Sequence, residues 1–321
     1  MSILGGAAQT TGRNRDVIRT IPFNQTVVNP LTSSFQNPYG NVIRVQFPYP
    51  QSFTQSELAL QNFFIFNSWY NISAELGNNV FAYTFPTASG QETFSVTIPD
   101  GFYNLEDLND YLQTIVMVNN GTYLISTVTG NNVYYIQILV NDTYYRETVF
   151  LDAVPDPAEA LAMDLTAPAN YPGGGLPATA TTPQLVILPT PYPAGSDTPG
   201  QYSFSKYLGY TPGSYPPAPL GATVSYNGQF APQVESTNNV NLSCNMVNNS
   251  GLSTNTQFFY SFSAANVPFG NQIIVNPHFP VFIPVADGFY NYIEIYVLDD
   301  NQQALLVQDP HISGTVMIRG K

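Results

Sequence analysis

The chain has 321 residues, of which 44% are apolar, 14% aromatic and only 9% charged, and its formal net charge is −13. Two lysines, Lys206 and Lys321, and few arginines argue against general nucleic-acid binding, which needs many cations to neutralise phosphate. A single cysteine, Cys244, excludes an intrachain disulfide and a cysteine-built zinc site.

The length suits one large domain or two modest ones, with room for a real core. Average soluble proteins are roughly 25% charged. The deficit points to a surface of Asn, Ser, Thr, Gln and Tyr, or to burial against neighbours, because interface cores are poor in charge and rich in aromatics. The acidic balance fits an outer surface kept soluble by repulsion. One cysteine fits assembly in a reducing compartment. The opening residues 1–8 are too short for the apolar core of a signal peptide, and no run of 18 apolar residues is present. Neither a signal peptide nor a transmembrane helix is expected.

Residues 1–16 are small and polar and read as a flexible N-terminal arm. Arg13, Arg15 and Arg19 place three of the six arginines within the first 20 residues. A solvated tail explains them, and so does an inward-facing arm that meets assembly partners or a genome.

From residue 17 the pattern is strand after strand, because apolar and polar residues alternate as side chains do along a strand. The candidates before the helix are 17–28, 41–48, 57–72, 79–86 and 94–98. Residues 104–117, NLEDLNDYLQTIVM, break the alternation. Leu105, Leu108, Leu112 and Ile115 fall on one helical face. Asn104 is a good N-cap, and Glu106 and Asp107 suit the positive end of the helix dipole. The expectation is one helix of about three turns covering a sheet edge or face. Strands are expected again at 122–129, 132–140 and 144–151, the first two joined at Gly130-Asn131-Asn132.

Residues 152–235 are rich in proline and glycine, including Gly173, Gly174 and Gly175. Proline cannot donate to a sheet ladder, so long central strands are not expected there. The segment reads as an insertion or as long loops, with an isolated strand at 185–188. Beyond it, Val240, Leu242, Cys244 and Met246 form one strand face. Further strands are expected at 257–263, 272–275, 281–285, 292–298, 303–308 and 314–319, with a hairpin at Asp299-Asp300-Asn301. Strand 292–298 is apolar on both faces apart from Glu294, which suits a central strand with a covered outer face. Tyr292 and Tyr296 are therefore the first candidate assembly contacts, together with Arg13, Arg15 and Arg19. The domain reading is an arm at 1–16, a first part of a sandwich at 17–151, the insertion or loops at 152–235, and completion of the sandwich at 236–321.

Catalytic signals are weak. His278 and His311 each sit beside a proline in a strand-flanking segment, where a polar turn residue is the ordinary explanation. Glu106/Asp107 and Asp299/Asp300 are explained by helix capping and a hairpin. Asp299, Asp300 and Asn301 lack the spacing of an EF-hand calcium loop. The glycine run is not followed by the Lys-Ser/Thr of a phosphate loop. Cys244 reads as an inert core thiol. Sequons at Asn24, Asn71, Asn120, Asn141, Asn241 and Asn248 are expected by chance in such a composition.

Four segments, in order, resemble a known family. They are VTIPDGFYNLEDLNDYLQ at 96–113, NNVYYIQILV at 131–140, SKYLGYTPGSYP at 205–216, and ADGFYNYIEIYVLDDNQQALLVQDPHISGTVMIRG at 286–320. Together they are similar to the penton and related minor capsid proteins of virophages, polinton-like elements and giant DNA viruses. The resemblance spans about residues 96–320 and carries structural rather than catalytic signatures. It implies an all-β, antiparallel jelly-roll sandwich, a homopentamer, and a place at the five-fold vertices of an icosahedral virion assembled in the host cytoplasm or nucleus. It implies no enzyme activity and no cofactor or metal. The implied partners are further copies of the chain, neighbouring major and minor capsid proteins, and a host receptor. Membrane insertion is not implied, and nucleic acid enters only through the arm. A minor or cement capsid role, a glycan-binding sandwich module and an enzyme built from distant carboxylates remain open alternatives.

Overall fold

The computed structural model describes residues 18–26, 42–141, 143, 145–188, 203–235, 237–247, 257–309 and 311–320. The chain divides into two compact units, Met1–Trp69 with Thr237–Lys321, and Tyr70–Ser236.

The first unit has eight principal strands: β1 (Ile18–Thr26), β2 (Val42–Phe53), β3 (Ser56–Phe66), β4 (Asn239–Cys244), β5 (Phe258–Ser263), β6 (Gln272–Val275), β7 (Gly288–Leu298) and β8 (His311–Gly320). Their antiparallel pairing is nested: β1 with β8, β2 with β7, β3 with β6, and β4 with β5. Two further pairings, β8 with β3 and β7 with β4, fold this ribbon into sheets ordered β1-β8-β3-β6 and β5-β4-β7-β2. That is the double-sheet wrap of an eight-stranded jelly roll. The all-β antiparallel class read from the alternation is the class observed.

The core lies between the two sheets. Ile293, Ile295 and Val297 of β7 and Val240, Leu242 and Cys244 of β4 are completely buried, as their alternation requires. Fully burying one such aliphatic side chain stabilises by about 1.5–3 kcal/mol. In β3, Leu58 and Leu60 face the core, and so do Phe63 and Ile65, although their parity differs. A register shift opposite Thr315/Val316 absorbs the extra residue. Phe23 lies opposite Gly314, where an added Cβ would stand 2.5 Å from the Phe23 ring. Only glycine fits that crossing.

The second unit holds three small antiparallel sheets. One is ordered Gly213–Tyr215, Gln184–Ile187, Val80–Thr87, Gly90–Thr97. The next is Val224–Asn227, Arg146–Leu151, Ile136–Asn141. The third is Leu165–Thr166, Leu124–Ser126, Asn132–Val133. An aromatic core joins them, with the Phe81 and Phe204 rings stacked at 4.9 Å.

Several expectations change here. The helix opens as the sequence predicts, with Asn104 and Asp107 forming a reciprocal capping box. It runs as α-helix over Leu105–Asp110, as π-helix over Tyr111–Met117 and as α-helix again over Val118–Asn120. The wider π turn replaces Ile115 with Met117 on the buried face, leaving Ile115 exposed. Two more short helices occur, Pro157–Ala162 and Phe204–Leu208. Residues 303–308 are not a strand. They form isolated bridges, Leu298 with Ala304 and Trp69 with Val307. The inserted unit begins at Tyr70 rather than at 152, because strands within 80–151 share sheets with strands within 165–227. No helix among the described residues is long and apolar enough to cross a membrane.

Charge divides sharply between the two units. Tyr70–Ser236 contains fourteen Asp and Glu against two cations, Arg146 and Lys206, a net of −12. The remaining −1 of the chain's −13 belongs to the jelly-roll unit.

Candidate functional site

Of the five residues proposed as assembly contacts, Arg13 and Arg15 lie outside the described residues. Arg19 stands in β1, paired with Ile318, and its Nη1 donates to Gln51 Oε1 at 3.3 Å. It therefore belongs to the sheet rather than to an arm.

Tyr292 and Tyr296 flank Glu294 on the outer face of β7, opposite the core-facing isoleucines. Arg44, across on β2, donates from Nε to Glu294 Oε1 at 2.8 Å and makes a second bond to the same oxygen from Nη2. The Tyr296 hydroxyl donates to Glu294 Oε2 at 2.7 Å. The Arg44 guanidinium sits 4.6 Å over the Tyr292 ring. Burial, with the bond to Glu294, raises the Tyr296 phenol above its ordinary range. Both tyrosines are thus half-buried within a polar network of the sheet's own.

A second ion pair lies elsewhere in this unit. Arg319 donates from Nε and Nη2 to Glu57 Oε2 at 2.8 and 2.6 Å, with its guanidinium 3.8 Å above the Phe282 ring.

The remaining singled-out residues are accounted for by local structure. His278 is exposed in the β6–β7 loop. His311 Nδ1 lies 2.7 Å from Asp309 Oδ1 on an exposed side chain. Asp299 Oδ1 accepts the N–H groups of Asn301 and Gln303, and the Asp300 carboxylate accepts those of Asn238 and Asn239. Cys244 is fully buried, and burial pushes its thiol up to about 12. Gly173 is left-handed at φ 58°, and a Cβ there would stand 2.1 Å from Thr87 Oγ1. Gly173 thus serves packing against the 80–97 hairpin. The Asn71 and Asn241 amides donate to backbone carbonyls, and the Asn120 amide to the Tyr83 hydroxyl. Asn71 is also buried. Among the described residues, no group of three or more His, Cys, Asp or Glu is placed to hold a metal.

Two features escaped the sequence. Glu147 is completely buried in the second unit, and neither carboxylate oxygen has a hydrogen-bond partner. Burial holds its carboxyl well above the usual carboxylate range. Strand parity carries the signal, since Glu147 shares a face with Val149 and Leu151. The other feature is a set of large apolar side chains left exposed on the jelly-roll unit, among them Tyr49, Phe279 and Phe289. In sequence, these are indistinguishable from core residues.

No family model matches the sequence, and none of the curated proteins compared with it matches either. Among solved structures, the chain is similar to the penton protein of mavirus, at 9% identity and a TM-score of 0.41, over 95% of this chain and 99% of that one.

Proposed function

We propose that the chain is a structural subunit of a viral shell: a penton that closes into a homopentamer at the five-fold vertices of an icosahedral particle, without catalysis or cofactor. The observation that carries this reading is a nested eight-stranded jelly roll of net charge about −1, interrupted between β3 and β4 by a unit of net charge −12. Double-sheet jelly rolls recur in viral capsids, where they pack side by side around symmetry axes. Packing side by side requires flanks that lose water without stranding charge. In the jelly-roll unit Arg44 is matched by Glu294 and Arg319 by Glu57 within the chain, which lowers the charge a flank would strand, and the acidic unit is the part suited to solvent. The order of the four penton-like segments supports the same reading.

On this reading, the partners are further copies of the chain and the major and minor capsid proteins around a vertex. Arg13 and Arg15 precede β1 as contacts toward those neighbours.

The test has two parts. Native mass and particle images of the purified chain should show a five-membered ring, and vertex-focused reconstruction of virus particles should find the chain on the five-fold axes. A chain absent from particles, or a monomer that binds glycan, would replace this reading with that of a sandwich binding module.

A further inference from the structure

Strand Gly90–Thr97 lies at the edge of its sheet in the second unit, paired with Val80–Thr87 on one side and with no strand on the other. The pairing runs without a bulge from Gly90 opposite Thr87 to Thr97 opposite Val80. Just beyond it, the Ile98 N–H donates to the Asn79 carbonyl at 2.8 Å. Hydrogen bonding alternates along an antiparallel pair, so Val96, Phe94 and Glu92 turn their N–H and C=O groups toward strand 80–87 as Ile98 does. Gln91, Thr93, Ser95 and Thr97 turn theirs away. The Tyr111 hydroxyl donates to the Thr97 carbonyl at 3.4 Å and takes one of these outward groups. Among the described residues, the outward backbone groups of Gln91, Thr93 and Ser95 have no partner, and all three residues are exposed.

The other sheet edges of this unit are protected. Helix side chains Asn109 and Gln113 cover strand 136–141. Strands 132–133, 165–166, 213–215 and 224–227 are short, and Pro216 follows 213–215. Strand 90–97 has eight residues and none of the usual protections: no proline, no lysine or arginine, no bulge. Such an edge is a template on which an extended segment adds as a further strand, held by main-chain hydrogen bonds.

We propose that the free edge of strand 90–97 is a docking site for an extended, positively charged segment of a partner protein, which joins the sheet as a fifth strand. Charge selects the occupant. The unit carries −12, and the one charged residue of the strand, Glu92, pairs with no cation among the described residues. An acidic segment is repelled, and so is the same edge of a second copy, which brings its own −12. Side-chain parity sets the rest. Phe94 and Val96 join the aromatic core, with Phe94 stacked on Tyr83 at 5.2 Å, and Glu92 shares their parity. Gln91, Thr93, Ser95 and Thr97 face the other way. A matching segment therefore alternates threonine, beside Thr93 and Ser95, with arginine beside Glu92 and an aliphatic residue beside Phe94. Strand 90–97 belongs to the second unit, so this site stands or falls apart from any ring contact of the jelly-roll unit.

The probe is a synthetic peptide as long as the strand, with blocked ends, threonine at alternate positions and arginine or valine between them. It is added to the purified full chain. Hydrogen exchange should slow at the Thr93 and Ser95 amides when the peptide binds, and fluorescence anisotropy gives its affinity. Replacing its arginines by glutamate should weaken binding about 10-fold or more, and N-methylating its edge-facing amides should do the same without changing its charge. Ser95→Pro removes an outward N–H and leaves the ladder to strand 80–87 intact, so it should also weaken binding about 10-fold or more. Ser95→Ala keeps that N–H and should bind like wild type. The proposal is overturned if the arginine peptide leaves the Thr93 and Ser95 amides unprotected, or if its glutamate or N-methylated form binds equally well. It is also overturned if raising the concentration of the chain alone protects those amides, which would assign the edge to a second copy. The peptide comparisons decide the matter even where Ser95→Pro fails to fold. A five-membered ring, seen or missing, bears on the penton reading and not on this site.

Discussion

The side-chain oxygen of Asn109 accepts the backbone N–H of Ile138 at 2.8 Å, so a helix does for strand 136–141 what a neighbouring strand would do. One turn later, Gln113 Nε2 donates to the Ile136 carbonyl at 2.9 Å. Two amide side chains on one helical face thus satisfy the outer edge of a three-stranded sheet. A bare edge invites pairing with another chain, and covering it with a helix removes that hazard.

Asn109→Ala should therefore destabilise the second unit by about 1–3 kcal/mol, the cost of leaving a buried donor unpaired. Asn109 and Ile138 are both buried, so water has little room to replace the lost oxygen. Asn109→Asp keeps the acceptor and should cost less than Ala at neutral pH. Urea unfolding of the three proteins checks this, and an Ala variant as stable as wild type would contradict it.

The sequence conveyed what is local and withheld what is distant. The core face of 240–244 follows from alternation alone, because a half-buried strand imposes period two. Asn104 announced the helix start, since capping is decided within four residues. Its π segment was not legible, because replacing Ile115 with Met117 depends on what the helix packs against. Leu305 and Val307 alternate like a strand, yet the Asp299 turn and the Trp69 bridge leave 303–308 without a ladder. The start of the insertion at Tyr70 was hidden because its sheets join residues about a hundred positions apart, such as Thr84 with Gln184. Asp156-Pro157-Ala158-Glu159 does carry a capping box with proline at the first turn, a helix signal masked by the surrounding prolines. For the candidate site, Tyr292 and Tyr296 were visible as an apolar face. Their role around Glu294 was not, because Arg44 comes from a strand 250 residues away.

Glu147 predicts an unusual pH dependence. Unfolded, its carboxyl titrates near the ordinary value of about 4.3. Folded, burial raises it well above that. Tyr207 and Tyr210 face it and are themselves raised, chiefly by burial, so they stay neutral. A raised folded value means that the contribution is fully present below the unfolded pKa and is lost as pH climbs toward the folded one. Other carboxylates vary with pH as well, so the readout is a difference. As pH rises from about 4.3 toward the raised folded value, wild type should lose stability relative to Glu147→Gln, which cannot ionise. Denaturant midpoints measured across that range would reject the prediction if the two curves ran parallel.

The two arginine–carboxylate pairs among the described residues of the jelly-roll unit should not be equal. Arg44 is 58% exposed and its partner Glu294 12%, whereas Arg319 is 33% exposed and its partner Glu57 9%, so the two pairs differ chiefly in the arginine. Arg44→Ala should cost about 0–1 kcal/mol, the usual worth of an exposed pair. The Tyr296 hydroxyl remains to hold Glu294 in that variant. Arg319→Ala strips two bonds from a buried carboxylate and uncovers the Phe282 ring, and should cost about 2–3 kcal/mol. Thermal or chemical unfolding of both variants should show that order, and the reverse order would refute it.

Salt should leave self-association unchanged or strengthen it. Ion pairs between copies would be weakened by salt, but the jelly-roll unit has few cations to make them. Of its described arginines, Arg44 and Arg319 are paired within the chain, and Arg19 reaches Gln51. Exposed pairs contribute only about 0–1 kcal/mol each in any case. Apolar contact is not screened. What salt does screen is the repulsion between units of net charge −12 on neighbouring copies. Raising ionic strength from about 0.1 M to 1 M shortens the Debye length from roughly 10 Å to 3 Å, so that repulsion fades while the attraction stays. Sedimentation at the two salt concentrations should therefore give the same assembled species, with a dissociation constant at 1 M equal to or below that at 0.1 M. An assembly that falls apart in high salt would mean that the copies are held by charge rather than by apolar contact.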